Sequence, residues 1–225
     1  MKKLDKDLRR ILMLNVFIVR HGQTDTNKVA AINGSGTDLP LNKLGKQQVE
    51  TLRDSFDINK IDYIYASPLT RARQTAEILA QGKLEVNVDE RLKEIYFGNW
   101  DGQSIEEIQE KYPQAFDELG YFKENYVDYC TGESYQHLAD RLMDFWHELV
   151  NNHEHESVLL VCHGIASRTL VQTLLGIPSM TEISLIQNAA VINLTVDDQT
   201  KKVFLRYYNR IAPGKFFIED KHGTA

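Results

Sequence analysis

The feature that most constrains this chain is an apolar run at residues 16–20, Val-Phe-Ile-Val-Arg, followed directly by His21 and Gly22. β-Branched and aromatic side chains in such a run predict a buried strand. The short polar residues at 23–27 predict a loop immediately after it. Arg20 and His21 therefore lie where a core strand gives way to a loop, and in α/β folds ligands bind beyond the carboxyl ends of strands. A hydrogen-bonded core residue is the alternative interpretation of His21, whereas a buried arginine needs an anionic partner.

A second strand ends in the same way. Residues 157–162 form the most apolar run in the chain and predict a central parallel strand. His163 and Gly164 follow it, and a helix is expected from there to about Leu175, stopped by Gly176. Because the carboxyl ends of parallel strands share one edge of a sheet, the two His-Gly pairs are expected to meet at that edge.

The alternation of short apolar runs with amphipathic segments predicts an α/β fold. We expect a doubly wound, mostly parallel sheet with helices on both faces and a helical lid insertion. The further strands are expected at 62–66, 84–88, 189–196 and 202–208, and the further helices at 42–56, 68–80, 104–129 (interrupted) and 134–150. One domain is expected over residues 1–225, with an N-terminal extension at 1–14, the lid insertion at 104–134 and a loose tail at 219–225.

The helix at 68–80 carries an arginine near its N-terminus. Ser67 is the expected cap and Pro68 the expected first helical residue. Arg71 opposes the helix dipole at this end, where acidic residues are favourable. An anion bound at the helix start would explain Arg71, and a surface salt bridge is the alternative. Arg73 is expected to face solvent.

The insertion is acidic and rich in aromatic residues. Between residues 101 and 134 lie nine acidic residues and two lysines, with no arginine. The aromatic residues there are Tyr112, Phe116, Tyr121, Phe122, Tyr126 and Tyr129. We expect the insertion to cover a cleft and most of these aromatic side chains to pack in a small core of their own.

Composition excludes several classes of function. The net charge of −6 disfavours a nucleic-acid-binding surface. Cys130 and Cys162 are too few for a disulfide scaffold. Near the N-terminus, the apolar run at 11–14 is too short for a signal-peptide core or a membrane span. We therefore expect a reduced, cytoplasmic protein of enzyme size, with no nucleic-acid or membrane partner; a homo-oligomer is left open.

The residues expected at the sheet edge suit phosphoryl transfer. A neutral imidazole such as that of His21 is a competent nucleophile toward phosphorus, and nearby arginines disfavour its protonation. Arg20, Arg71 and His163 can bind the charged oxygens of the transferred group. Glu94 can protonate the leaving alkoxide. This chemistry needs no metal or cofactor, and no His, Cys or Asp grouping has the spacing of a zinc site.

An ordered set of motifs covers residues 16 to about 164. The matching residues are Arg20-His21-Gly22 with Thr24 and Asn27; Gly34 with Asp38-Leu39-Pro40-Leu41 and Gly45; Ser67-Pro68-Leu69 with Arg71 and Thr75; Glu94 with Gly98, Trp100 and Gly102; Gly132-Glu133-Ser134; and His163-Gly164. With this set the chain resembles the histidine phosphatase superfamily, the phosphoglycerate mutase-like family, and in particular its phosphatases.

The resemblance implies a role for each matching site residue. His21 would be the phosphorylated nucleophile, and Arg20, Arg71 and His163 would form the phosphate pocket. Glu94 would be the acid for the leaving group and then the base for water. The further substrate contacts implied are Asn27, Gly34 and Gly164.

The expected reaction is metal-independent hydrolysis of small phosphomonoesters, with a phosphorylated metabolite as the substrate. Mutase-type phosphoryl transfer is the first alternative. Mutases that resemble this chain have a longer insertion with a basic cluster for a bisphosphorylated cofactor, whereas this insertion is acidic and would repel a doubly phosphorylated ligand. A non-catalytic protein that binds a phosphorylated metabolite is the further alternative.

A rival nucleophile also has a sequence signature. Cys162 and Arg168 satisfy the Cys-x5-Arg pattern of cysteine-dependent tyrosine phosphatases and follow a strand. However, Val161 stands where that family usually has histidine, and the pattern is short enough to arise by chance. Cys162 is therefore expected to be a small buried residue.

Overall fold

The computed structural model describes residues 13–212. The expectations for residues 1–12 and for the tail at 219–225 lie outside the described residues. From residue 13 to residue 212, none of the helices combines the length and the apolar character needed to cross a membrane.

Six strands and six helices alternate along the described chain. The strands are β1 Met13–Arg20, β2 Tyr63–Ala66, β3 Val86–Val88, β4 Ser157–Cys162, β5 Val191–Asp197 and β6 Val203–Arg210. The helices are α1 Asp25–Lys28, α2 Lys43–Ser55, α3 Thr70–Ala80, α4 Ile105–Lys111, α5 Tyr135–Asn152 and α6 Gly164–Leu175. Short 3-10 turns lie at Ile58–Lys60, Glu90–Leu92, Gly98–Trp100, Pro113–Ala115, Glu124–Asp128 and Met180–Glu182.

All of these strands form one sheet in the order β3-β2-β4-β1-β5-β6. The four strands β3, β2, β4 and β1 run parallel to one another. Strand β5 is antiparallel to β1, and β6 is antiparallel to β5. The chain leaves β1 toward one side of the sheet and leaves β4 toward the other, so the winding reverses between these two central strands. A ligand crevice is expected at the carboxyl ends of strands at such a reversal. The prediction of a mostly parallel α/β sheet is confirmed.

Helices cover both faces of the sheet, as predicted. On one face, Val49 of α2 and Ala76 of α3 are buried in an apolar cluster that includes Leu159 of β4. On the other face, Leu142 of α5 lies in a second cluster that includes Leu160 of the same strand. Because β4 is buried on both faces, its whole length is apolar rather than alternating.

The first strand begins earlier than predicted, because Met13 and Leu14 belong to β1 rather than to an N-terminal extension. Leu14 pairs with Val196 of β5 and is completely buried. The polar Asn15 interrupts the apolar run in the sequence, but the side chains of successive strand residues point to opposite faces. Asn15 therefore does not end the strand.

Helix α3 also begins later than predicted, at Thr70 rather than at Pro68, and Ser67 is not its cap. The carboxylate of Asp38 accepts hydrogen bonds from the Thr70 amide at 2.6 Å and from the Thr70 hydroxyl at 2.9 Å. A side chain from a distant loop thus satisfies the amide that a local cap would satisfy. Arg73 is exposed, as predicted.

The insertion contains one regular helix, α4, and otherwise only 3-10 turns. The interrupted helix that the sequence predicts over 104–129 is therefore longer than the helix that forms. Its aromatic side chains pack as predicted. Phe122 contacts the rings of Phe97, Trp100 and Phe116, with ring centroids 4.7–5.8 Å apart. These contacts join the insertion to the main core through the segment that follows Glu94.

The loop after β1 packs directly against α2, and the close approach depends on two glycines, Gly22 in the loop and Gly45 in the helix. A Cβ atom on Gly22 would lie 2.5 Å from the carbonyl oxygen of Gly45, and a Cβ atom on Gly45 would lie 2.1 Å from the carbonyl oxygen of Gln23. Backbone atoms cannot yield as a flexible side chain can, so neither position accepts a larger residue without movement. Helix α2 therefore fixes the position of the loop that begins with His21.

We predict that Gly45→Ala destabilises the protein by roughly 1–3 kcal/mol, because the added methyl group forces α2 away from this loop. Denaturant unfolding measures the change. Lys46→Ala, at the next and exposed position of the same helix, is the matched control and should change stability by less than about 0.5 kcal/mol. Equal unfolding midpoints for the two variants would contradict the close approach.

Candidate active site

The two histidines that follow the central strands lie side by side. Arg20 at the end of β1 is in register with Cys162 at the end of β4, so the next residues, His21 and His163, leave the sheet at the same level. Their ring centroids are 5.1 Å apart and the ring planes are inclined by 60°. Both side chains are buried, with 2% and 0% exposure.

The His21 ring is held in one tautomer by its own loop. Nδ1 lies 2.7 Å from the carbonyl oxygen of Gly22, and because a carbonyl only accepts, Nδ1 is the protonated nitrogen. Burial lowers the pKa of His21 well below its ordinary 6.5, and the charges of Arg71 and Arg20 lower it further. The ring is therefore neutral, with its lone pair on Nε2.

His163 is held from both sides. Arg71 donates from Nε to Nδ1 of His163 at 3.2 Å, so Nε2 carries the proton and donates to the hydroxyl of Ser67 at 2.7 Å. This contact explains why Ser67 does not cap α3. Burial and then the charge of Arg71 lower the pKa of His163 well below its ordinary value, so this imidazole is also neutral.

Arg71 is a completely buried cation. It donates to the carbonyl oxygens of Thr37 at 2.6 Å and Gly34 at 3.0 Å, and no carboxylate of the described residues forms an ion pair with it. Burial lowers its pKa to about 10, although the more distant charge of Glu94 opposes this shift. Arg71 therefore brings a positive charge beside both imidazoles, and the nearby carboxylates act on it only from a distance.

Arg20 lies on the other side of the loop and is 5% exposed. Its Nη1 donates to the carbonyl oxygen of Ile186 at 2.6 Å. A Cβ atom on Gly164 would lie 3.2 Å from Cζ of Arg20, so the glycine allows the guanidinium to contact the start of α6.

The loop that holds Gly34 is shaped by Asp101, an acidic residue to which the resemblance to the histidine phosphatases assigned no role. The carboxylate of Asp101 accepts from the amides of Gly34 at 2.7 Å and Gly36 at 3.0 Å. A Cβ atom on Gly34 would lie 2.3 Å from this carboxylate, which explains the glycine. The position of Asp101 within the Gly98, Trp100 and Gly102 motif is the one sequence signal that pointed to it.

Glu94 is buried at the N-terminus of α6 and is 5% exposed. Its carboxylate accepts from the amides of Ile95, Ile165 and Ala166 at 2.9–3.0 Å. Burial raises the pKa of Glu94 above its ordinary value, although these amides and the charge of Arg71 oppose the shift. This carboxyl group therefore keeps its proton to a higher pH than an exposed glutamate does.

A partly buried ion pair positions the segment that carries Glu94. Arg141 forms a bidentate pair with Glu133, at 2.7 and 2.9 Å, and also donates to the carbonyl oxygens of Lys93 and Glu94. Glu133 in turn accepts from the amide of Tyr96. Sequence reasoning quoted Glu133 as a motif residue but did not find Arg141, which lies two turns into α5 and has no local signature.

Asn27 is buried at the end of the same loop as His21, and 7% of it is exposed. Its side-chain oxygen accepts from the amide and the hydroxyl of Thr24, at 3.1 and 3.0 Å, and so closes the first turn of α1. Thr75 of α3 ties the loop down further by accepting from the amide of Gly22 at 3.2 Å.

The structure contradicts the rival nucleophile. Cys162 is 2% exposed within the apolar core, and burial raises the pKa of its thiol to about 12. The residues after it form the first turn of α6 rather than a phosphate-binding loop, and Arg168 donates to the carbonyl of Met180. A neutral thiol in such surroundings is a poor nucleophile.

The arrangement provides a distinct set of chemical groups at one sheet edge. They are a neutral imidazole with an unprotonated Nε2, two guanidinium groups, a second neutral imidazole and a carboxyl group with a raised pKa. Among residues 13–212, no group of three or more His, Cys, Asp or Glu side chains is placed to hold a metal ion. The positive groups match the charge of a tetrahedral oxyanion.

We predict that protonation of His21 destabilises the fold. Its pKa is lower in the folded chain than in the unfolded one, so the histidine's contribution is fully present above about pH 6.5 and is lost as the pH falls below that value. The loss reaches about 1.4 kcal/mol per pH unit. Denaturant unfolding between pH 7 and pH 5 should therefore show a shallower pH dependence for His21→Asn than for the wild type. His147→Asn, at an exposed position of α5, should follow the wild type, and equal slopes for all three proteins would contradict the assignment.

Comparison of the sequence with known proteins identifies a family and several relatives. The model of the histidine phosphatase superfamily (branch 1) matches residues 16–209. Phosphoserine phosphatase 1 of Hydrogenobacter thermophilus is 30% identical over 209 residues, which are 92% of this chain and 98% of that protein. A probable phosphoglycerate mutase GpmB of Citrobacter koseri is 35% identical over 173 residues, 76% of this chain and 79% of that protein.

Solved structures show the same fold. A mycobacterial glucosyl-3-phosphoglycerate phosphatase complexed with VO3 matches with a TM-score of 0.76 at 27% identity, over 87% of this chain and 98% of that chain. A phosphoserine phosphatase mutant from Entamoeba histolytica, in complex with phosphoserine, matches with a TM-score of 0.73 at 26% identity, over 87% and 96%. Since the family match spans nearly all of the described residues, the chain belongs to branch 1 of the histidine phosphatase superfamily.

Proposed function

We propose that this protein is a metal-independent phosphatase that hydrolyses small phosphomonoesters through a phosphohistidine on His21. The observation that carries the proposal is the state of the His21 ring: neutral, with Nδ1 bound to the Gly22 carbonyl and Nε2 unprotonated, beside the buried guanidinium of Arg71. A neutral imidazole attacks phosphorus, and burial together with the adjacent cations disfavours the protonated, unreactive form.

In the first step, Nε2 of His21 forms a bond to phosphorus while the bond from phosphorus to the ester oxygen breaks. Glu94 gives its proton to that oxygen, and the alcohol leaves. The raised pKa of Glu94 supports this role, because an acid must hold its proton at the working pH. The products are the alcohol, phosphorylated His21 and a Glu94 carboxylate.

In the second step, the Glu94 carboxylate takes a proton from water as the water oxygen attacks phosphorus. The bond between nitrogen and phosphorus breaks, inorganic phosphate leaves and His21 regains its lone pair. Atoms and charge therefore balance without an external acid, base or metal.

Both steps build charge on the three equatorial oxygens of the transferred group. Arg20 and Arg71 stabilise this charge, and His163 does so once its Nε2 proton is donated to a phosphoryl oxygen instead of to Ser67. Asn27, Gly34 and Gly164 are the further substrate contacts. Loss of one such donor costs on the order of 3 kcal/mol, or roughly a hundred-fold in rate. The carbonyl bonds of Arg71 hold it in place before the substrate arrives, so little reorganisation is required.

The relatives include phosphatases and probable mutases, so the choice of hydrolysis depends on this chain's own residues. The segment from 101 to 134 holds nine acidic residues against two lysines and has no arginine. Such a surface disfavours a ligand with a second phosphate, which mutase chemistry requires. Transfer to water is therefore favoured over transfer to a second hydroxyl.

We predict that the purified protein releases phosphate from small phosphomonoesters in the presence of a metal chelator, and more slowly from bisphosphorylated compounds. His21→Ala should lower the rate by roughly a thousand-fold or more, because no other described group replaces the nucleophile. Cys162→Ala is the matched control and should retain activity, since the thiol is buried and protonated. Activity that survives in His21→Ala but not in Cys162→Ala would contradict the proposal, as would mutase turnover faster than phosphate release.

A further inference from the structure

A cavity lies at the end of the sheet opposite the candidate active site. It occupies about 670 Å³ between one face of the sheet and the residues that follow α2. The alternate residues Met13, Asn15 and Phe17 of β1 form part of its floor. Asn15 precedes Arg20 by five residues, so this floor lies about 16 Å from the candidate site. The volume is in the range of small-molecule sites, and the proposed reaction uses none of the residues that line it.

The floor of the cavity carries a row of polar side chains. In the sheet, Ser157 of β4 is paired with Asn15, and Asn15 is paired with Thr195 of β5. Neighbouring strands are about 5 Å apart, so the three side chains lie side by side. Thr195 is 4% exposed, and its enclosed hydroxyl has no hydrogen-bond partner. The side chains of Asn15 and Ser157 also form no hydrogen bond with any residue from 13 to 212.

The packing of the sheet does not account for this row. Where the same face packs against helices it is apolar, as at Leu159, two residues after Ser157 on β4. A buried hydroxyl without a partner costs free energy, and an apolar side chain of the same shape would avoid that cost. A ligand that supplies hydrogen bonds from the cavity explains why these positions are polar.

Aromatic side chains border the polar row. The next row of the sheet runs from Phe17 through Asn193 to Tyr207 of β6. Phe56, which ends α2, meets Phe17 edge to face with the ring centroids 5.4 Å apart. All three rings line the cavity. A flat heterocyclic ring can stack on them while its edge reaches the polar row.

A β-bulge brings a cation to the same cavity. The pairing of β6 with β5 shifts register between Asn193 and Leu194, which leaves Arg206 as an extra residue before Tyr207. Successive strand residues normally point to opposite faces, yet Arg206 and Tyr207 both line this cavity. Bulges redirect side chains in this way.

The charge at the rim of the cavity favours an anion. Asp57 is the acidic residue of the described lining, and Lys60 pairs with it at 3.4 Å. Arg206 is exposed and forms no ion pair with a carboxylate from residue 13 to residue 212. Residues 199–212 hold four cations and no acidic residue, in a chain whose net charge is −6. The planar guanidinium of Arg206 suits a phosphate, which accepts two of its N–H groups at once.

We infer that this cavity is a second binding site and that it takes a nucleotide. The base stacks on the aromatic side chains, its edge meets the row that contains Asn15 and Thr195, and the phosphates bind Arg206. A carboxamide pairs with the edge of adenine through one donor and one acceptor, and Asn15 has both available. The site is separate from the phosphate pocket at His21, so the inference does not depend on the proposed function.

Titration calorimetry with ADP tests the inference. The wild type and His21→Ala should bind one equivalent of ADP with the same affinity, and saturating inorganic phosphate should not displace it. Pyrophosphate has the two phosphates without the nucleoside and should bind roughly ten-fold more weakly or worse, because it cannot stack. Displacement by phosphate would place ADP in the candidate active site and overturn the inference. Equal binding of pyrophosphate, or no binding of ADP, would overturn it as well.

Two substitutions in the cavity separate a binding role from a structural one. Thr195→Val keeps the shape of the side chain and removes the unpaired hydroxyl. It should therefore weaken ADP binding about five-fold and raise the unfolding midpoint of the free protein. Arg206→Gln should weaken ADP binding roughly ten- to a hundred-fold, the range for a hydrogen bond to a charged group.

Arg73→Gln is the matched control, because it removes the same charge from an exposed position of α3 outside the cavity and should leave ADP binding unchanged. Wild-type affinity in either cavity variant would overturn the inference. A lower unfolding midpoint for Thr195→Val would also overturn it, since the fold itself would then use the hydroxyl.

Discussion

The burial of Arg71 is the constraint on which the rest of the site depends. Its guanidinium is surrounded by the neutral carbonyls of Thr37 and Gly34 and by the ring of His163, with no carboxylate paired to it among the described residues. An internal counter-ion would neutralise it and remove its attraction for a ligand. Burial, together with this charge, keeps His21 and His163 neutral, and the guanidinium without a paired carboxylate makes the pocket complementary to an anion.

The remainder of the structure holds these groups in place through hydrogen bonds between distant segments. Asp101 fixes the glycine loop, Asp38 caps α3 so that Arg71 lies at its start, and Arg141 with Glu133 positions the backbone of Glu94. Each of these contacts joins segments that are far apart in the chain. The acidic residues of the site therefore support positive charge indirectly: they bind backbone amides or a separate arginine rather than the cations that face the ligand.

The sheet edge was predictable because its signals are local. Two apolar runs, each ending in His-Gly, predict adjacent buried strands, and parallel pairing alone brings His21 level with His163. The cap of α3 was not predictable in this way: Ser67 and Pro68 are a local start signal, but the Ser67 hydroxyl binds His163 and the Asp38 carboxylate replaces it from 32 residues away. Arg141 was missed for the same reason. The periodicity of a sequence indicates which face of a helix is buried, but it does not indicate which distant carbonyl groups a side chain on that helix binds.

The central claim is that an anion accepted by these cations is attacked by Nε2 of His21. Rapid-quench analysis of Glu94→Gln with p-nitrophenyl phosphate tests it most directly, because nitrophenolate leaves without a proton donor whereas attack by water loses its base. The account predicts a burst of about one equivalent of nitrophenolate per protein and an acid-labile, alkali-stable phosphate on His21. Linear release without a burst, or phosphate on any other residue, would contradict it.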